Sequence, residues 1–268
     1  MKKQPKLSSL IDKAVFDYNL IEPGDRILIG ASGGKDSTAL IHYFSNRVKR
    51  PDCNFEYKAL NIQNDFAQSF PEQIIKLFEE WKVPFESIDV NVLERVKIGQ
   101  KMSCYWCSTQ RRTELINYAI NNGYNKIALG HHMDDILETL LMNMLDKGEF
   151  STMSPKLKYG KYPVTIIRPL CYILEDRIKD FAVEKGFSMF TCTCNYQENS
   201  TRKNARFHLE QLTDGDPLKK ERLFNSLKNV QPLYLPKFLL HEIRNGNFLC
   251  FLFYRMRSLI IIKGIPGN

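Results

Sequence analysis

Apolar positions along this chain change period repeatedly, and each change marks an element. Leu7, Leu10, Ile11, Val15, Tyr18 and Leu20 recur near helical spacing and predict a helix over 7–20, with Ser8 and Ser9 as caps. The turn Pro23-Gly24-Asp25 then delivers a short aliphatic strand, Ile27 to Ile29. Small residues fill 30–34, and Leu40, Ile41 and Phe44 restore helical spacing until Arg50-Pro51. Phe55 to Ile62 alternates as a second strand, 71–81 reads as a helix, and 83–90 as a third strand. A loop rich in Lys, Gly and Cys over 97–107 precedes a helix over 111–121 that closes at Asn122-Gly123. Residues 126–130 follow as a fourth strand, 132–145 as a helix, 163–169 as a fifth strand, and 175–185 as a helix ending at Gly186.

Strands alternating with helices across short turns imply an α/β fold, a doubly wound, Rossmann-like parallel sheet covered on both faces. Ligands bind at the carboxyl ends of such strands. Beyond these elements, 195–230 is polar, basic and mainly helical in pattern, and the tail from 235 is strongly apolar. The chain therefore divides into an α/β domain over 1–190 and a small helical C-terminal region over 191–268.

Composition narrows the class. A chain of 268 residues with 43% hydrophobic and 25% charged content suits a globular protein with a sizeable core. It has no signal-peptide pattern and no apolar stretch long enough to span a bilayer. Seven cysteines, odd in number and unevenly placed, argue against a disulfide scaffold and for a reducing cytoplasm. The net charge of +8 points to a polyanionic partner such as nucleic acid, with Arg111, Arg112, Arg202, Lys203 and Arg206 among the basic residues.

The chemistry concentrates in the turn after the first strand. Ala31-Ser32-Gly33-Gly34-Lys35-Asp36-Ser37 joins a strand to a helix N-terminus, where free N–H groups and the helix dipole make an anion site. Gly33 and Gly34 let backbone approach a phosphate, Ser32 and Ser37 add hydroxyl donors, and Lys35 adds a mobile charge. The spacing is one residue short of the kinase-type phosphate loop, Asp36 follows the lysine, and the dinucleotide glycine pattern is absent. The fourth strand runs into Gly130-His131-His132-Met133-Asp134-Asp135, with Glu138 one turn further. Its carboxylates can cap the helix, hold Mg²⁺ against a triphosphate, or accept a proton. Cys104-Tyr-Trp-Cys107 lies in the loop before a helix, and Cys192-Thr-Cys194 in another. Two such pairs brought together hold zinc or an iron–sulfur cluster, and Cys-x-Cys favours the cluster.

The segment Ser32 to Ser37 resembles the pyrophosphate (PP) loop of the ATP pyrophosphatase superfamily, whose members cleave ATP between the α- and β-phosphates. Together with Tyr18 to Arg26, Cys104-x-x-Cys107, Lys126 to Thr139, Met153 to Leu157, Ile167-Arg-Pro-Leu170 and Cys192 to Arg202, it is similar to the TtcA family over about 15–232, which makes 2-thiocytidine in tRNA. The resemblance implies Mg²⁺, ATP, and a [4Fe–4S] cluster held by three cysteines, mapping onto Cys104, Cys107 and Cys192. The C-terminal pair is one residue shorter than the family's, which keeps Cys194 open as a ligand. It further implies a tRNA substrate and a cysteine desulfurase or sulfur carrier as donor, with a homodimer as the assembly to consider. On this reading Lys35, Asp36, Asp134 and Asp135 are the catalytic set, and Ala31, Ser32, Gly33, Gly34, Ser37 and Gly130 line the nucleotide site. The competing readings are a thiouridine or lysidine enzyme of the same superfamily, and a zinc-stabilised nucleotide-binding protein without turnover.

Overall fold

In the computed structural model, which describes residues 5–64, 69–91, 104–188 and 201–236, six strands form one sheet in the order β3-β2-β1-β4-β6-β5. The strands are β1 (Asp25–Gly30), β2 (Phe55–Asn64), β3 (Phe85–Val90), β4 (Lys126–Ala128), β5 (Lys156–Lys158) and β6 (Thr165–Ile167). The helices are α1 (Leu7–Asp17), α2 (Lys35–Arg47), α3 (Glu72–Glu80), α4 (Cys104–Asn121), α5 (Met133–Lys147), α6 (Glu175–Glu184), α7 (Thr201–Thr213) and α8 (Pro217–Ser226). β1 pairs in parallel with both β2 and β4, so the chain winds outward through β3 and then returns across the sheet to β4. The order reverses between β1 and β4, and a crevice opens at their carboxyl ends.

Period-two alternation assigns the two faces. On β2, Phe55 and Tyr57 meet Phe44 of α2, with ring centroids 5.8 and 5.9 Å apart. The intervening positions Leu60 and Ile62 join Leu28, Ile127 and Ile166 in a cluster closed by Ile116 and Ala119 of α4. Helices α2 and α4 therefore cover opposite faces. Each follows a strand and leads to a parallel one, so both begin at the carboxyl edge where the crevice lies.

Two elements differ from the sequence reading. β5 is an antiparallel edge strand on β6, Lys156 opposite Ile167, too short to show a period. α4 is already helical at Cys104, seven residues before the expected start at 111, so the Cys-x-x-Cys pair lies on the helix and not in a loop. Trp106 packs against the α4 core cluster, and that contact extends the helix toward its N-terminus. The chain forms two compact units, Met1–Phe224 and Asn225–Asn268; the described part of the second is the end of α8 and a 3₁₀ turn, Pro232–Tyr234. The boundary expected at 190 and 191, and the apolar tail from 237, lie outside the described residues. No helix among the described residues is long and apolar enough to cross a membrane.

Candidate functional site

The phosphate loop is a self-contained fold of its own donors. Ala31 N donates to Leu60 O at 2.8 Å and ties the exit of β1 to β2. Ser32 N donates to Ser37 Oγ at 3.2 Å, the two hydroxyls are 3.0 Å apart, and Gly34 N donates to Ser32 Oγ. Gly33 has φ +76°, and a Cβ there would sit 3.0 Å from Pro71 Cδ, so both conformation and space require glycine. Gly34 is the N-cap of α2 and brings no side-chain cap, which leaves the first-turn N–H groups directed at the crevice. Thr38 Oγ1 is buried without a hydrogen-bond partner, and Asp36 Oδ1 accepts no hydrogen bond although Lys35 Nζ stands 3.1 Å from it. A carboxylate oxygen in that state suits a divalent cation, which is commonly held by one or two carboxylates and the phosphates of its substrate.

The exit of β4 presses directly on this loop. A Cβ on Gly130 would lie 2.9 Å from Ser37 N and 3.0 Å from Asp36 C, so only glycine permits that approach. His132 then caps α5: Asp135 Oδ2 accepts from His132 N at 3.0 Å, while His132 Nδ1 accepts from Asp135 N at 3.4 Å. Asp134 Oδ2 accepts from Glu175 N at 2.8 Å and Oδ1 from Lys220 Nζ at 3.0 Å. Glu138 is fully buried; its Oε1 accepts from Arg206 Nε at 2.7 Å, and Arg202 Nε lies 3.5 Å from Oε2. Arg202 Nη1 also stands 3.7 Å from Asp135 Oδ1.

These charges form one connected system. Lys35 Nζ lies 3.1 Å from Asp36 and 3.0 Å from Glu175 Oε1, and Glu175 Oε2 faces Lys179 at 3.4 Å and Arg206 Nη1 at 3.7 Å. Burial opposes ionisation of Glu175, yet Lys35, with Arg206 and Lys179, holds its carboxyl down at about 2. Burial likewise opposes the charge on Lys35, and Asp36 and Glu175 outweigh it, raising the ammonium above its usual value. Burial raises Glu138 against the pull of Arg206, and pushes His131 down to about 4. Burial also lowers Arg168, whose Nη1 donates to Ser154 O, to about 10.

The structure thus brings Ala31, Ser32, Gly33, Gly34, Lys35, Asp36 and Ser37 together with Gly130, Asp134 and Asp135 around one crevice. Cys104 and Cys107 fall on α4 within its first described residues, while Cys192 and Cys194 lie outside the described residues. Among the described residues no three His, Cys, Asp or Glu side chains converge as a metal cage.

Residues 3–212 match the family model of the PP-loop domain. A curated tRNA-cytidine(32) 2-sulfurtransferase of Shewanella sediminis is 37% identical over 237 residues, covering 86% of this chain and 74% of the relative. That of a Marinomonas species is 35% identical, covering 87% and 85%. The chain belongs to the TtcA family of PP-loop proteins. Among solved structures, the U34-tRNA thiolase NcsA of Methanococcus maripaludis, determined with its [4Fe–4S] cluster, superposes with a TM-score of 0.69 at 22% identity. It covers 84% of this chain and 78% of its own, and shows that the fold is shared.

Three side chains of this TtcA-family crevice were not singled out for it by sequence: Glu175, Arg206 and Lys220. The signal for Glu175 is faint, an acidic residue opening a helix after Ile167-Arg-Pro-Leu170. Arg206 reads in sequence as a tRNA phosphate contact, and Lys220 as surface charge. The crevice instead pairs Arg206 with Glu138 and buries Lys220 against Asp134 and Glu210.

Proposed function

We propose that this chain catalyses ATP-dependent thiolation of a cytidine in tRNA, position 32 on the model of its curated relatives, to 2-thiocytidine. The observation that carries the reading is the phosphate loop itself, uncapped at α2 and with Lys35 Nζ 3.1 Å from Asp36 Oδ1, set against Gly130. ATP places its phosphates over the first turn of α2, and Lys35 neutralises charge that develops as the α–β bridge breaks. Asp36 holds Mg²⁺ against the departing pyrophosphate. The C2 oxygen of cytidine attacks the α-phosphorus, pyrophosphate leaves, and the former carbonyl oxygen becomes part of an adenylate. A sulfur nucleophile then adds at C2, and AMP departs with that oxygen. Asp134 and Asp135 set the charge of the crevice wall through Lys220, His132 and Arg202.

The donor chemistry of Cys104 and Cys107 fits a [4Fe–4S] cluster, which is held by cysteine thiolates, and the two cysteines stand three residues apart on α4. Cys104, Cys107 and Cys192, with Cys194 as the alternative third ligand, would hold it, and when bound it supplies the iron that accepts sulfur from a cysteine desulfurase or carrier. Arg111, Arg112 and the neighbouring basic residues position tRNA through its phosphates, in the cytoplasm.

The deciding experiment is nucleoside analysis of tRNA from a strain lacking this chain, before and after complementation. Loss of 2-thiocytidine alone, restored by the wild type, is the expected result. Loss of a thiouridine or of lysidine in its place overturns the assignment.

A further inference from the structure

Glu175 occupies an odd place for a carboxylate. It stands 3.0 Å from Lys35, the one side-chain cation of the loop that receives the phosphates. It is the first residue of α6, whose N-cap Leu174 offers no side-chain cap, and its backbone N–H is taken by Asp134 from α5. Its side chain is therefore clamped at both ends and only 17% exposed. A triphosphate entering the loop meets that negative charge across a part-buried gap, where repulsion is poorly screened. Lys35 has three donors, and in this arrangement they are directed at Asp36 and Glu175 rather than at the crevice. Glu175, however, divides its two oxygens. Oε1 serves Lys35, whereas Oε2 already faces Lys179 and Arg206.

We propose that Glu175 is a positioning residue for nucleotide entry: it holds Lys35 in the empty protein, surrenders it to the phosphates of ATP, and passes to Arg206 and Lys179. Binding is then an exchange of ion pairs in which no charge is left alone. The exchange links the loop at α2 to α7, whose Arg206 also grips the buried Glu138. This rests on the nucleotide reading of the loop given above.

The test is calorimetric binding of α,β-methylene-ATP to the full chain, with and without Mg²⁺, in the wild type, Glu175→Gln, Lys35→Ala and the double variant. Glu175→Gln removes the competitor and should tighten binding about five- to tenfold, and the gain should vanish in the Lys35→Ala background, because interacting neighbours are non-additive. In turnover the same variant should lower both KM for ATP and kcat, since Lys35 is no longer oriented before binding. Lys179→Gln weakens the other hold on Glu175 without uncovering the buried Glu138, and should shift affinity the opposite way, which covers the case that Glu175→Gln folds poorly. Equal gains with and without Lys35 overturn the exchange while leaving nucleotide binding intact. Weaker binding confined to Mg²⁺-containing buffer also overturns it, by making Glu175 a metal ligand. A wild type that binds no analogue removes the nucleotide reading itself, and this proposal with it.

Discussion

The two walls of the crevice draw the partners of their charges from different places in the chain. On the loop wall the partners are local: hydroxyls and amides within Ser32 to Ser37 satisfy one another, and Asp36 Oδ1 has Lys35 Nζ, one residue away in the chain, at 3.1 Å. On the α5 wall each carboxylate has a cation brought from elsewhere: Lys220 for Asp134, Arg202 for Asp135, Arg206 for Glu138. Local partners leave the loop free to answer a ligand, whereas partners brought from distant elements fix those elements in place. The comparison also shows why a perturbed carboxyl is not by itself a catalytic one. Glu138 is raised by burial, yet its main partner is the arginine that docks α7 on α5.

The sharpest way to break this contrast is to remove charge from each wall in turn. Lys35→Ala and Asp36→Ala should each cut thiolation by about a thousandfold, the scale of losing a preorganised electrostatic contact, with little change in melting temperature. Lys220→Ala should do the reverse. It strips Asp134 of its buried counter-ion and should cost about 3 kcal/mol of stability in denaturant titration, with a smaller effect on ATP affinity. Equal losses of activity at full stability for Asp134→Asn and Asp36→Ala would erase the distinction and make Asp134 a reacting group. Between the walls, Gly130→Ala drives a methyl into the α2 backbone at Ser37 and should cost about 2 kcal/mol. The accompanying loss of nucleotide affinity, read by calorimetry, reports how closely the walls depend on each other.

That asymmetry also decides what could be read from sequence. The loop was legible because its partners are near in the chain, Ser32 to Ser37 being five residues apart. The parallel sheet was legible for a related reason, since each strand carries its own apolar run between turn residues. The α5 wall was not, because Glu175 N reaches Asp134 across 41 positions, Arg206 reaches Glu138 across 68, and Lys220 reaches Asp134 across 86. No local pattern encodes such pairs, and a lysine on a polar helix looks like surface until the fold buries it. The helical run through Cys104 was hidden likewise, since Trp106 packs on a core cluster gathered from strands far away in the chain.

The smallest expected effect distinguishes the walls by acid. Burial lowers His131, beside Asp135, to about 4, against an ordinary value of 6.5. A histidine depressed in the folded state leaves the unfolded chain binding the extra proton, so stability is full above the unfolded pKa and declines as pH falls through the window from 6.5 toward 4. From about pH 7 to about 5.5 the loss from His131 should be about 1 kcal/mol. On the other side of the loop, His42 is wedged edge-on between Trp81 and Phe181, and burial lowers it too, with the same sign. Carboxylates such as Glu175, held at about 2, lose their contribution only at lower pH, as pH falls from their unfolded value toward 2. His131→Gln should therefore flatten part of the acid slope in urea titrations above about pH 5, and His131→Gln/His42→Gln most of the rest. A slope unchanged in the double variant would mean that neither imidazole is kept from its proton by burial, and that the α5 wall is wetter than its packing indicates.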